Sequence, residues 1–329
     1  MNEFDSINQL FGGSTLGDPS ARGLLDDIAY LQPHKSGLAI STDTLVEGTH
    51  FLPNDPISSV ARKLVRVNLS DIISKGCIPI GVFLNIAWPN NVTTQLQKEF
   101  ASALGEELGS ICVGVPLLGG DTTSTNGPMV ASLVILGRPY GKEPIYRSGA
   151  SVGDLVFVSG DIGNALIGLN ALLGKADLSK FPQSVAHYRV PELPPIAIGK
   201  LIAKYANSSI DISDGLLGDA HKMAVCSNLG IEVELNDVPI SSETIHWIGD
   251  NTRLPALLEL FSFGDDYQAL FTISPKNLTD LVAEAKREKV YITEIGKCVK
   301  GKGLSLCFEG NNIALPSKLS HEHQFQGTI

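Results

Sequence analysis

The sequence is short of positive charge, of paired cysteines and of long apolar runs. Its 329 residues hold 25 lysines and arginines against 35 aspartates and glutamates, a formal net charge of −10. Nucleic-acid binding is excluded as the leading reading, because neutralising phosphates needs a basic face. The acidic balance suits a site that collects divalent cations. Five cysteines, Cys77, Cys112, Cys226, Cys298 and Cys307, stand without CxxC spacing, which argues against a disulfide framework or a zinc site. The apolar runs are broken by polar residues or glycine, well below the ~20 residues that cross a bilayer. The opening Met1-Asn2-Glu3-Phe4-Asp5 is acidic and has no apolar signal region. A soluble, cytoplasmic protein with no membrane partner is the expectation.

The common nucleotide and hydrolase signatures are missing too. There is no Gly-x-x-x-x-Gly-Lys-Ser/Thr loop and no Gly-x-Gly-x-x-Gly fingerprint. Neither His-Arg-Asp nor Asp-Phe-Gly marks a protein kinase, and Gly-x-Ser-x-Gly and His-Glu-x-x-His are absent.

The length corresponds to two domains at about 150 residues each. A short amphipathic helix is expected over 4–11, with Phe4, Ile7 and Phe11 on one side, and a loop over 12–23. The pattern then predicts a strand over 37–46, a helix from Pro56 to about Lys75 with Gly76 as its cap, and a strand over 78–88. A helix over 93–110 and strands over 111–118 and 129–137 follow. This β-α-β-α-β-β order is an α+β layout with helices on one face of a sheet. The turn-rich stretch 141–154 places a boundary near Gly149, giving domains 1–148 and 149–329. In the second domain, strands are expected over 155–159, 231–235, 267–273, 290–295 and 304–308. Its helices are expected over 162–174, 195–206, 215–228 and 275–288, an α/β unit with a mixed sheet.

Aspartate recurs beside small or hydroxyl residues where predicted strands end. The cases are Asp26-Asp27, Ser41-Thr42-Asp43-Thr44, Gly119-Gly120-Asp121-Thr122-Thr123, Asp211-Ile212-Ser213-Asp214-Gly215 and Gly264-Asp265-Asp266-Tyr267. Each alone reads more readily as a turn or a cap. Asn68-Leu69-Ser70-Asp71 differs, because it lies in an apolar helix with Asn68 and Asp71 three apart on one face. A carboxylate there needs a metal or an ion pair, and the two are equally open. Mg²⁺ binds carboxylate oxygens together with substrate phosphates, so the set points to a Mg²⁺-dependent phosphate enzyme.

The ordered motifs STDTLVEGTHF, NLSDI, LLGGDTT, RSGASVGD, IDISDGL and FGDDYQALF resemble the thiamine-monophosphate kinases, within the aminoimidazole ribonucleotide synthetase-like superfamily. The likeness spans almost the whole chain. It implies a ferredoxin-like first domain that pairs in a homodimer, an α/β second domain, and an active site between the domains near the dimer interface. It implies ATP-dependent phosphorylation of thiamine monophosphate to thiamine diphosphate, with several Mg²⁺ ions. By the resemblance, Asp27, Ser41, Thr42, Asp43, Asp71, Asp121, Asp211 and Asp214 match metal ligands. Gly120, Asp121, Arg147 and Ser213 match ATP contacts. His50, Asp265 and His321 match substrate contacts, while Asp43, Asp71, Asp121 and Arg147 would carry the transfer.

This chain departs from the family pattern in places. Gly23-Leu24-Leu25-Asp26-Asp27 lacks a second glycine. Asp265 stands where the family has a longer glutamate, and Ser320-His321-Glu322-His323-Gln324-Phe325 replaces the usual Gly-Tyr-x-His-Phe. The alternatives are a ring-closing aminoimidazole ribonucleotide synthetase-like ligase and a non-catalytic paralogue that binds nucleotide or metal.

Overall fold

The computed structural model describes residues 9–20, 37–111, 114–249 and 253–320. The chain divides into two units, Met1–Pro144 and Ile145–Ile329. The first is built from β1 (Ala39–Val46), α1 (Ile57–Ser74), β2 (Cys77–Pro89), α2 (Thr94–Ser110), β3 (Leu117–Thr125) and β4 (Val130–Pro139). Its sheet runs in the order β1-β4-β2-β3, parallel between β2 and β3 and antiparallel elsewhere.

Helix α1 ends where Gly76 takes a φ of +67°, a left-handed turn that glycine adopts without strain. Val60, Leu64, Val65, Ile72 and Ile73 of α1 are buried almost completely. Such side chains contribute about 1.5–3 kcal/mol each when taken out of water. Helix α2 begins with the Thr93 hydroxyl accepting the Leu96 N–H at 3.2 Å, a cap that satisfies an otherwise unpaired donor. Glu107 of α2 binds α1 twice, at 2.7 Å to Arg66 Nε and 3.2 Å to Arg62 Nη1. Trp88 of β2 meets Phe100 of α2 edge to face, with ring centroids 5.3 Å apart.

The expected strand over 111–118 is a correction. Strand structure starts at Leu117 and continues to Thr125, through the Gly-Gly-Asp-Thr-Thr segment expected to be a turn after the strand. That segment pairs with β2 from Leu117 against Val82 to Thr125 against Pro89. An edge strand needs apolar residues only where it meets the core, so most of β3 is polar, exposed and without an apolar pattern. The stretch read as a loop also contains a 3-10 turn, Gly12–Thr15, behind a helical end at residues 9–11.

The second unit carries a seven-stranded mixed sheet in the order β11-β10-β7-β9-β5-β8-β6. The strands are β5 (Leu155–Ser159), β6 (Ala206–Asp211), β7 (Gly230–Glu234), β8 (Ala269–Ile273), β9 (Ile292–Val299), β10 (Gly303–Phe308) and β11 (Asn311–Ile313). The expected helices appear as α3 (Asn164–Leu172), α5 (Ala197–Tyr205), α6 (Leu216–Ser227) and α9 (Leu278–Glu288). Three short helices escaped the sequence pattern: α4 (Pro182–Arg189), α7 (Ser242–Ile248) and α8 (Arg253–Phe261). At two turns or so, they give periodicity little length in which to show. Strand β8 starts two residues later than expected, because Asp265 and Tyr267 take φ values of +70° and +50°, outside the strand region.

Asp266 lies between those two residues and is completely enclosed. It accepts the Gly163 N–H at 2.9 Å, at the start of α3. His187 Nε2 faces it at 3.9 Å, and Asp265 is adjacent in the chain. Burial pushes its carboxyl up to about 8, against the pull of the helix N–H groups.

Two predictions concern stability. Gly120 has a φ of +151°, and a Cβ there would fall on the backbone of Leu84. Gly120→Ala should therefore destabilise the first unit by about 1–3 kcal/mol, read as a lower denaturant midpoint. For Asp266, the folded chain holds a proton that the unfolded chain releases between the ordinary carboxylate value of 3.8 and about 8. Stability therefore falls as pH rises through that window. Asp266→Asn should show a smaller loss of melting temperature from about pH 5 to about pH 8 than the parent chain.

Candidate functional site

In β1, side chains alternate between the two faces of the sheet. Ser41, Asp43 and Leu45 face α1, while Ile40, Thr42 and Thr44 point the other way and are exposed. Asn68 of α1 is fully buried. Its Oδ1 accepts the Asp43 N–H at 2.9 Å and its Nδ2 donates to the Leu64 carbonyl at 2.9 Å. One turn further on, Asp71 accepts a hydrogen bond from the Ser41 hydroxyl. The helix face expected from the Asn68/Asp71 spacing therefore lies against the strand that carries Ser41 and Asp43.

Asp121 is not part of that group. Asp43 pairs with Leu133, Leu133 with Leu84, and Leu84 with Gly120. The neighbouring row is Thr44, Ser132, Asn85 and Asp121. Residues opposite one another share a face, so Asp121 lies on the face away from α1, with Thr44 and Thr42. The Thr44 and Ser132 hydroxyls, 2.7 Å apart, hydrogen-bond in that row. Strands β1 and β3 are also the two edges of the sheet, about 14 Å apart at ~4.8 Å per strand. One copy of this sheet does not bring Asp121 to Asp43 and Asp71. Among the described residues, no three His, Cys, Asp or Glu side chains gather as a metal-holding group.

His50 sits in the turn after β1. Its N–H donates to the Val46 carbonyl at 2.9 Å, and its Nδ1 accepts the Val46 N–H at 3.1 Å. Asp27 and His321 lie outside the described residues.

In the second unit, two motifs distant in sequence form one backbone knot. The Asp265 N–H donates to the Ser213 carbonyl at 2.9 Å, Tyr267 to Ile212 at 2.8 Å, and Ile212 to Gln268 at 2.8 Å. A Cβ on Gly264 would strike the Ser213 carbonyl, so the close approach requires glycine. The Tyr267 hydroxyl donates to Asp265 Oδ1 at 3.0 Å, within the turn of positive φ. Ser213, Asp214 and Asp265 are thus neighbours. Asp211 ends β6, buried. Arg147 is exposed on a segment whose Tyr146 carbonyl accepts the Ser209 N–H of β6 at 2.8 Å.

The sequence reading missed two partners of Asp214. Lys222, two turns into α6, forms an ion pair with Asp214 and another at 2.8 Å with Asp219. Asp219 is fully buried and accepts the Asp214 N–H at 3.0 Å. Burial pushes its carboxyl up, and Lys222 draws it back. The only signal for this triad is charge spacing along α6, which reads as an ordinary solvated face.

Known proteins match the chain along nearly its whole length. The N-terminal domain of the AIR synthase related proteins matches residues 25–138, and their C-terminal domain matches residues 151–308. A thiamine-monophosphate kinase of Caulobacter vibrioides is 36% identical over 324 residues, covering 98% of this chain and 90% of the relative. The structure of AaThiL complexed with AMPPCP and TMP aligns with a TM-score of 0.73 at 28% identity, over 90% of this chain and 91% of that one. A thiamine-monophosphate kinase structure from Stenotrophomonas maltophilia aligns at 0.79 with 27% identity, over 95% of this chain and 98% of that one.

Proposed function

This chain belongs to the thiamine-monophosphate kinase family of AIR synthase related proteins, and from that we propose that it transfers the γ-phosphoryl group of ATP to thiamine monophosphate. The products are thiamine diphosphate and ADP. One observation carries the site assignment within the first unit: the Ser41 hydroxyl rests on the Asp71 carboxylate, beside Asp43 on the same face of β1. Those three donors are all hard oxygens, the set that suits Mg²⁺. Ser41, Asp43 and Asp71 would hold Mg²⁺, with Asp211 and Asp214 offering further carboxylates in the second unit. Bound Mg²⁺ supplies neutralisation of the crowded phosphate charge.

The nucleophile in this reading is a phosphate oxygen of the substrate. A phosphate monoester has a second pKa of about 6 and is largely ionised at neutral pH, so no general base is required. Positioning and electrostatic stabilisation then carry the transfer. Gly120 lets the β3 backbone pass close to β2 without a side chain in the way. Arg147 presents an exposed guanidinium, which pairs readily with phosphate oxygens. Ser213 and Asp265 stand together on the knot, where a nucleotide contact and a substrate contact would be neighbours.

We also propose a homodimer through the first unit. Asp121 faces away from Asp43 and Asp71 of its own sheet, on the face to which we assign the pairing. On that same face Ile80, Phe83, Leu118 and Leu136 pack together, while Ile40 is 65% exposed. Light scattering at micromolar concentration should give twice the chain mass, and a monomer mass would count against the pairing.

Substrate choice tests the chemistry. Free thiamine ends in a hydroxyl that needs a base and stops one phosphate short of the γ-phosphate. Lost in-line geometry forfeits much of the about 7–11 kcal/mol that positioning can supply. Mass spectrometry of the products should show thiamine diphosphate from thiamine monophosphate and no thiamine monophosphate from thiamine. Comparable rates from both substrates would overturn the mechanism. Asp121→Asn should lower turnover by at least about 100-fold, with an unchanged circular dichroism spectrum.

A further inference from the structure

Asp214 is held from two sides by residues that the proposed chemistry does not use. Its N–H donates to Asp219 Oδ2 at 3.0 Å, and its carboxylate forms an ion pair with Lys222. Lys222 also reaches Asp219 Oδ1 at 2.8 Å, so the three residues form a closed triad.

Two of these contacts have an ordinary explanation. An acid early in a helix that takes an N–H from just before the helix is a capping arrangement, and α6 starts at Leu216. A buried carboxylate also needs a partner, which accounts for the bond from Lys222 to Asp219. The ion pair with Asp214 is left over. Lys222 is 35% exposed, so water is within reach of its ammonium, yet the ammonium spans back past the helix start to a second acid.

The two acids differ in how firmly they are placed. The Asp219 side chain is 0% exposed, and that of Asp214 is 45% exposed. The main chain of Asp214 is fixed as well. The Ser213 carbonyl before it accepts the Asp265 N–H, and a Cβ on Gly264 would lie 3.1 Å from the Asp214 Cα. What can turn is one exposed carboxylate and one long, flexible ammonium arm. Losing an exposed ion pair costs little, and breaking a buried one costs much. Lys222 therefore leaves Asp214 more easily than it leaves Asp219.

We propose that Lys222 is a resident counter-ion at Asp214, which yields that carboxylate to a divalent cation while staying on Asp219. This rests on the reading of Asp214 as a metal ligand and goes beyond it. The carboxylate is occupied before any metal arrives, so metal binding there is a competition. Without nucleotide the site is weak, because the ammonium cancels the charge that would attract a cation. Polyphosphate oxygens bring further negative charge and tip the exchange, and Mg²⁺ commonly binds through one or two carboxylates together with phosphates.

The test is Mn²⁺ binding to the full chain without nucleotide, with free Mn²⁺ read by electron paramagnetic resonance. Lys222→Met should tighten the Asp214-dependent site by about 10-fold, and Lys222→Arg should stay within twofold of the parent. A charge-balanced variant, Lys222→Met with Asp219→Asn, removes one charge of each sign, so the triad keeps its net charge. It also avoids a buried acid without a partner, should the single variant fold poorly. It should still bind at least about 5-fold tighter than the parent. In an Asp214→Asn background both changes should stay within twofold. An unchanged affinity in the charge-balanced variant, or equal tightening in the Asp214→Asn background, would overturn the proposal. Failure of the underlying reading looks different. If Asp214→Asn removes no Mn²⁺ site from the Lys222 variants, Asp214 is no ligand and both ideas fall. If it removes a site that the Lys222 variants leave unchanged, the ligand stands and the counter-ion alone falls. A chain that binds Mn²⁺ in the expected pattern but does not phosphorylate thiamine monophosphate loses the proposed function and keeps its counter-ion.

Discussion

The first unit depends on one buried amide. Asn68 has no exposed surface, and it spends its carbonyl oxygen on the backbone of β1 and its NH₂ on the previous turn of α1. An enclosed amide without partners is expensive, so the helix has one low-energy register against the strand. That register puts Asp71 against Ser41 and Asp43 beside them. Replacing Asn68 with an aliphatic residue would keep the packing but release the constraint on sliding. A neighbour outside the proposed metal set thus fixes where those aspartates stand.

The second unit reaches a comparable result with backbone. Its acids lie on two segments some 50 residues apart in sequence, joined by N–H to carbonyl bonds that run strand-like through residues with positive φ. Non-glycine residues in that region cost energy, and Tyr267 returns some of it through its bond to Asp265. The enclosed Asp266 ties the knot to the start of α3 through the Gly163 N–H.

Much of this was readable in sequence. The helix and strand order of the first unit follows from apolar periodicity, and Asn68 with Asp71 stood out because polar residues on a buried helix face need a reason. The Gly-Gly-Asp-Thr-Thr segment misled because the same composition serves a turn and a polar edge strand, and only pairing with β2 decides between them. Faces were not readable either: whether Asp121 shares a side with Asp43 depends on a register across two intervening strands. Lys222 was hidden because it looks like a solvated charge on α6.

The edges of the four-stranded sheet carry another consequence. An unpaired edge strand is a template on which a second chain can add and begin to aggregate. Strand β3 is poorly suited to that growth. Gly120 bends its backbone, Asp121 places a charge mid-strand, and four of the five residues that follow are hydroxyl-bearing. The same hydroxyl-rich, charged composition that hides β3 from a strand pattern thus keeps this edge from templating growth, and apolar residues over 121–125 would open it to edge-to-edge association.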